Sequence, residues 1–131
     1  MKKLIITILL IGLISIGYSD SLYRPAVKAG NFLYISGQNA QTHNESLKGE
    51  NITQQTQKAI LLIQKTLKKH GYSLNDIIDV NVAIAKQQDF DAFNKEYKKY
   101  FPNKPARSTA LGVLHQNIGA LVEISAIAYK K

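Results

Sequence analysis

The chain has 131 residues, enough for one ordinary domain, with 17 Lys+Arg against 9 Asp+Glu and a formal net charge of +8. It has no cysteine, which excludes disulfides, a thiolate nucleophile, a cysteine metal site and a lipid-bearing cysteine. The basic balance admits nucleic acid or an anionic surface as partner, but the lysines fall mainly on what read as helix outer faces and termini, so a solvated exterior is the simpler reading.

In chain order, Met1-Lys2-Lys3 is a short positive start, Leu4 to Ile16 is an apolar run of 13 residues, and Gly17-Tyr18-Ser19 offers small residues at the two positions a signal peptidase inspects. A secretory core runs about 7–15 residues, whereas a membrane span needs about 20. Residues 1–19 therefore read as a signal peptide cleaved after Ser19, with an uncleaved anchor as the alternative. The expected location is secreted or periplasmic, with no stable membrane anchor after cleavage. Residues 20–131 are then the folded domain, with a mature charge of about +6.

Asp20 to Pro25 reads as an irregular lead-in. Ala26-Val27-Lys28 and Phe32-Leu33-Tyr34-Ile35-Ser36 flank Gly30-Asn31, a strong two-residue hairpin signal because both residues tolerate positive φ. Asn39 to Asn51 is polar and reads as a loop with room for a short third strand. Ile52 to His70 is a predicted helix with Thr56, Ile60, Ile63 and Leu67 at helical spacing, capped by Asn51 at its start and Gly71 at its end. Ser73 to Asp76 is a weaker capping pattern. Ile78 to Ala85 alternates, with Val80, Val82 and Ile84 on one side, as a strand should. Asp89 to Phe101 is a second predicted helix with Phe90, Phe93, Tyr97 and Tyr100/Phe101 in one stripe, stopped by Pro102. Ala106 to Val113 and Ala120 to Tyr129 are the last two strands. The order β-β-(β)-α-β-α-β-β predicts an α+β domain with one sheet covered on one face by two helices. The uncovered face, expected to carry Leu111, Leu121 and Ile127 beside Arg107 and Glu123, suits an oligomer interface with a site inside it.

Arg107 and Glu123 stand out because each is a charge set in a segment that otherwise reads as packed sheet, where it is costly unless paired or used. A guanidinium grips a carboxylate by two parallel hydrogen bonds, and a carboxylate can activate a water. The bland alternative is a structural salt bridge between the two. His43, His70 and His115 fall in a loop, a helix end and a turn, without metal-ligand spacing. Ser36 and Ser108 have no histidine at a motif-like distance.

Ala26-Val27-Lys28-Ala29-Gly30-Asn31, Ser36-Gly37-Gln38, Asn94-x-x-Tyr97 with Phe101, Pro105-Ala106-Arg107-Ser108-Thr109 and Gly119 to Ala128 together resemble the Rid family, also called the YjgF or L-PSP family of reactive-intermediate (2-iminobutanoate/2-iminopropanoate) deaminases. The resemblance spans about residues 22–130. It implies a chorismate-mutase-like α+β fold and a homotrimer whose sites lie between subunits. It also implies hydrolysis of 2-imino acids and their enamine tautomers to 2-keto acids and ammonia, with no cofactor and no metal. On the matching positions it implies catalytic roles for Glu123, which positions the attacking water, Arg107, which binds the substrate carboxylate, and Tyr23 in the N-terminal loop. Ser36 and Gly37 would line the pocket, Asn94 and Tyr97 would lie near it, and Thr109 would present its main chain to the imine where a cysteine is common. The sequence departs from the family around Tyr23-Arg24-Pro25, and by one extra residue in Leu114 to Ile118. The other readings are a trimer that binds a small carboxylate without turnover, and RNA binding or ribonuclease action, for which an exported protein has little occasion.

Overall fold

The computed structural model describes residues 22–41, 46–112 and 119–131. The proposed leader, His43 and His115 therefore lie outside the described residues, as does the longer turn at 114–118. No described helix is long and apolar enough to cross a membrane.

A hairpin opens the fold. β1 (Ala26–Ala29) pairs antiparallel with β2 (Phe32–Gln38) in the register Ala29↔Phe32. The two residues between them are Gly30, at φ 57, and Asn31. Only the first takes positive φ, as in a turn with glycine at its first central position.

α1 spans Ile52–Lys69 and starts as expected at Asn51. The Asn51 side chain accepts from the Gln54 amide at 2.9 Å, and the Gln54 side chain accepts from the Asn51 amide at 3.0 Å. This reciprocal pairing satisfies two of the orphan donors at a helix start. Thr56, Ile60, Ile63 and Leu67 are all fully buried. β3 (Ile77–Ile84) follows a short helical turn, then α2 (Phe90–Tyr97), β4 (Ala106–Leu111) and β5 (Val122–Tyr129). No strand forms among the described residues between β2 and α1.

α2 is shorter than the predicted Asp89 to Phe101. Past Tyr97 the bonding tightens, with Lys99 N–H donating to Glu96 and Tyr100 N–H to Tyr97. Pro102 biases Phe101 away from helical geometry, so the last turn unwinds although Phe101 stays buried.

The sheet has five strands in the order β1-β2-β5-β3-β4. β3 and β4 are parallel, joined by the α2 crossover, and the other neighbours are antiparallel. β5, last in sequence, slots between β2 and β3. Both helices lie on one face, and Leu33, Ile35, Val80, Val82, Ile84, Val122, Ile124, Ala126 and Ala128 form the core against them. The alternation expected for the third and fifth strands follows from this one-sided burial.

The opposite face is open. Val27, Phe32 and Tyr34 are exposed on it, and the register places Ile127 and Tyr129 beside them. The Phe32 and Tyr129 rings stand 4.9 Å apart. Two residues expected on this face are elsewhere. Leu121 packs against the core just before β5, and Leu111 pairs with buried Ile84, so it stands on the helix side.

Candidate active site

Arg107 is the larger correction. β4 is an edge strand, and its register pairs Arg107 with Val80 and Thr109 with Val82. Paired residues share a face, and Val80 and Val82 face the helices. The Arg107 guanidinium accordingly lies over two rings of α2, 4.9 Å from the Tyr97 centroid and 5.6 Å from that of Phe93. Its charge enters neither of the two ion pairs found among the described residues.

Glu123 stands on the other face. It pairs with Ala83 and leans across to β2, where Gly37 makes room for it. A Cβ on Gly37 would overlap the Glu123 carboxylate, reaching within 2.8 Å of its Cδ. Tyr23, Ser36, Gly37 and Glu123 line one open cleft of about 320 Å³. A second, of about 380 Å³, runs from Glu123 over Asn81, Ser108, Ala110 and Ser125. Thr109 borders this second cleft as well, and since its side chain shares the helix face with Val82, it offers the cleft its main chain.

Among the described residues, the site therefore exists as two halves. Glu123, Tyr23, Ser36, Gly37 and the Thr109 main chain belong to the open face. Arg107 and Tyr97 belong to the helix side, with Asn94 on the same helix. The salt bridge between Arg107 and Glu123 is not formed within the chain, because the sheet separates them.

Ser36 also has a local structural task. Its hydroxyl donates to the Arg24 carbonyl at 2.6 Å and its amide to the Pro25 carbonyl at 3.0 Å. It thus ties the lead-in bearing Tyr23 to β2. Tyr97 is almost fully buried and its hydroxyl has no partner among the described residues. Burial pushes its phenol up to about 12, against a smaller opposing pull from the Arg107 guanidinium and a further push from Asp79. His70 sits at the exposed end of α1 with Nδ1 2.9 Å from the Thr66 carbonyl oxygen. Asn81, Ser108 and Ser125 were not singled out from the sequence. The register that pairs Asn81 with both of the others is what unites them.

The family model described as Endoribonuclease L-PSP matches residues 18–130. The chain belongs to this family. A RutC family protein of Pyrococcus horikoshii is 43% identical over 113 residues, covering 83% of this chain and 87% of that protein. A protein of Dermatophagoides farinae named 2-iminobutanoate/2-iminopropanoate deaminase is 37% identical over 109 residues, covering 80% of this chain and 83% of that one. The crystal structure of yeast Mmf1 superposes with a TM-score of 0.76 at 32% identity, covering 86% of this chain and 90% of that chain. The chorismate-mutase-like α+β fold implied by the L-PSP motifs is the fold of this domain.

Proposed function

We propose that this L-PSP family member hydrolyses reactive 2-imino and enamino acids to 2-keto acids and ammonia, at a site shared between neighbouring protomers of a homotrimer. The observation that carries this reading is the division of the two charges. Arg107 and Glu123 lie on opposite faces of one sheet, and no side-chain hydrogen bond or ion pair between described residues involves either. A cavity using both needs Glu123 of one protomer and Arg107 of a neighbour. The open face, with Val27, Phe32, Tyr34 and Ile127 beside the Glu123 clefts, is the apolar surface such an assembly would cover. The Dermatophagoides relative's name supplies the substrate class.

The chemistry asks little of the protein. Arg107 holds the substrate carboxylate and so fixes the imine carbon. Glu123 accepts a proton as water adds to the carbon of the protonated imine, returns it to nitrogen, and takes the carbinol O–H proton as the C–N bond breaks, leaving the keto acid and ammonia. Tyr23 lines the Glu123 cleft. The Thr109 main chain borders the second cleft, within reach of an imine nitrogen placed there.

The test generates imines in place with an amino-acid oxidase and follows their decay. Glu123→Gln should slow hydrolysis by about 10²–10⁴-fold, the usual contribution of such a base. Arg107→Ala should also be slow, and both variants should stay assembled. Wild-type rates in both variants would overturn the reading. Binding of keto acids without turnover would instead identify a carboxylate-binding trimer. RNA affinity falling steeply with salt, with RNA cleavage unaffected by Arg107→Ala, would favour the ribonuclease in the family model's description. We also propose the leader at 1–19 and export to the periplasm or beyond. The apolar run Leu4 to Ile16 behind Lys2-Lys3 is what supports it, and an exported protein of intact mass matching Met1–Lys131 would refute it.

A further inference from the structure

We propose that Phe93 and Tyr97 form an aromatic shelf that positions Arg107, so that Tyr97 serves the site through the guanidinium rather than by touching substrate. The inference rests on the carboxylate-binding role given to Arg107 above.

A guanidinium on an edge strand is normally a mobile group, because its stem has several free rotations and water solvates its head. Two features of α2 counter this. Phe93 and Tyr97 are four residues apart and so stack on one helical stripe, with ring centroids 5.5 Å apart. Both rings lie within the range at which a cation is drawn to an aromatic face. Phe101 stacks on Tyr97 at 4.4 Å, and Phe93 is wholly buried, so the shelf is itself held by packing.

The kind of contact matters as much as its strength. A carboxylate partner would also fix Arg107, but it would spend the N–H donors the substrate needs. Ring faces hold the cation from below and consume no N–H group. The Arg107 guanidinium donates no hydrogen bond among the described residues, so its donors stay available for a planar two-pronged grip. The Tyr97 hydroxyl is buried without a partner among the described residues, which leaves the ring as the part of this side chain that acts. Tyrosine would therefore be replaceable by phenylalanine here, but not by an aliphatic residue.

The experiment compares Tyr97→Phe, Tyr97→Leu and Phe93→Leu, each checked for folding and assembly, with pyruvate as a stable keto-acid probe. Tyr97→Leu should raise KM for the imine and Kd for pyruvate by about threefold to thirtyfold, the span of a cation–π contact, with kcat within about twofold. It should also lower the order of the Arg107 Nε–H seen by NMR relaxation. Tyr97→Phe should match wild type in all three readouts. In an Arg107→Ala background Tyr97→Leu should have no further effect on pyruvate binding. Should Tyr97→Leu fail to fold, Phe93→Leu carries the same expectations.

An unchanged Nε–H order in Tyr97→Leu, or an equal loss of pyruvate affinity with and without Arg107, would overturn the shelf. A wild-type protein that neither turns over imines nor binds pyruvate would sink the functional reading alone. The Arg107 dynamics would then still decide the shelf.

Discussion

At the scale of single residues, the seat of Glu123 is the most constrained feature. Gly37 lacks the one atom that would displace the carboxylate. Gly37→Ala should therefore either push Glu123 aside or cost about 1–3 kcal/mol in overlap. The expected result is a kcat lowered about tenfold or more if Glu123 is the base, with a modest fall in Tm. A Gly37→Ala enzyme as fast as wild type would show that this seat does not matter. Tyr97 makes a pH-dependent prediction. Its phenol titrates near 12 in the folded protein and near 10 when unfolded, so the folded state holds its proton longer. Its contribution to stability is whole below pH 10 and lost as pH rises towards 12. Alkaline melting curves should show that loss, and Tyr97→Phe should flatten it.

At the scale of elements, one side chain ties two loops to a helix. Gln55 is fully buried on α1. Its Nε2 donates to the Gly119 carbonyl at 2.9 Å and more weakly to Leu47 and Glu50, while its Oε1 accepts from the Leu121 amide at 2.9 Å. It thereby anchors the approach to β5, on which Glu123 stands. Gln55→Leu would leave these main-chain groups unpaired and should lower the unfolding free energy by about 2–3 kcal/mol, read from urea titration; an unchanged midpoint would dismiss the anchor. In sequence Gln55 looked like any polar residue on a helix, since its partners lie up to 66 positions away. The strands show the same division between legible and hidden. β3 and β5 could be phased because one face of each is buried and the other is not, which forces alternation. β4 is almost wholly exposed on both faces, so Pro105-Ala106-Arg107-Ser108-Thr109 carries no phase of its own. Only pairing with β3 decides which way Arg107 points, and the expectation of a shared face with Glu123 failed there. The family motifs single out both residues but say nothing of sidedness.

At the scale of the whole molecule, the fold shields one side of the sheet and leaves the other open. That much followed from the order of elements, because two crossover helices can cover only one face. What covers the open face depends on shape complementarity that no periodicity records. The separation of Arg107 from Glu123 by the thickness of a sheet has a genetic corollary. A polypeptide lacking the cation and one lacking the acid should complement each other when co-assembled, since a site at their junction can draw its good half from each. With random equal mixing into closed rings, about a quarter of the junctions would be intact, against none if both groups served from the same polypeptide. Renaturing an equal mixture of Arg107→Ala and Glu123→Gln chains and assaying the blend would tell the two arrangements apart. Two null alleles of this gene should then be able to rescue one another.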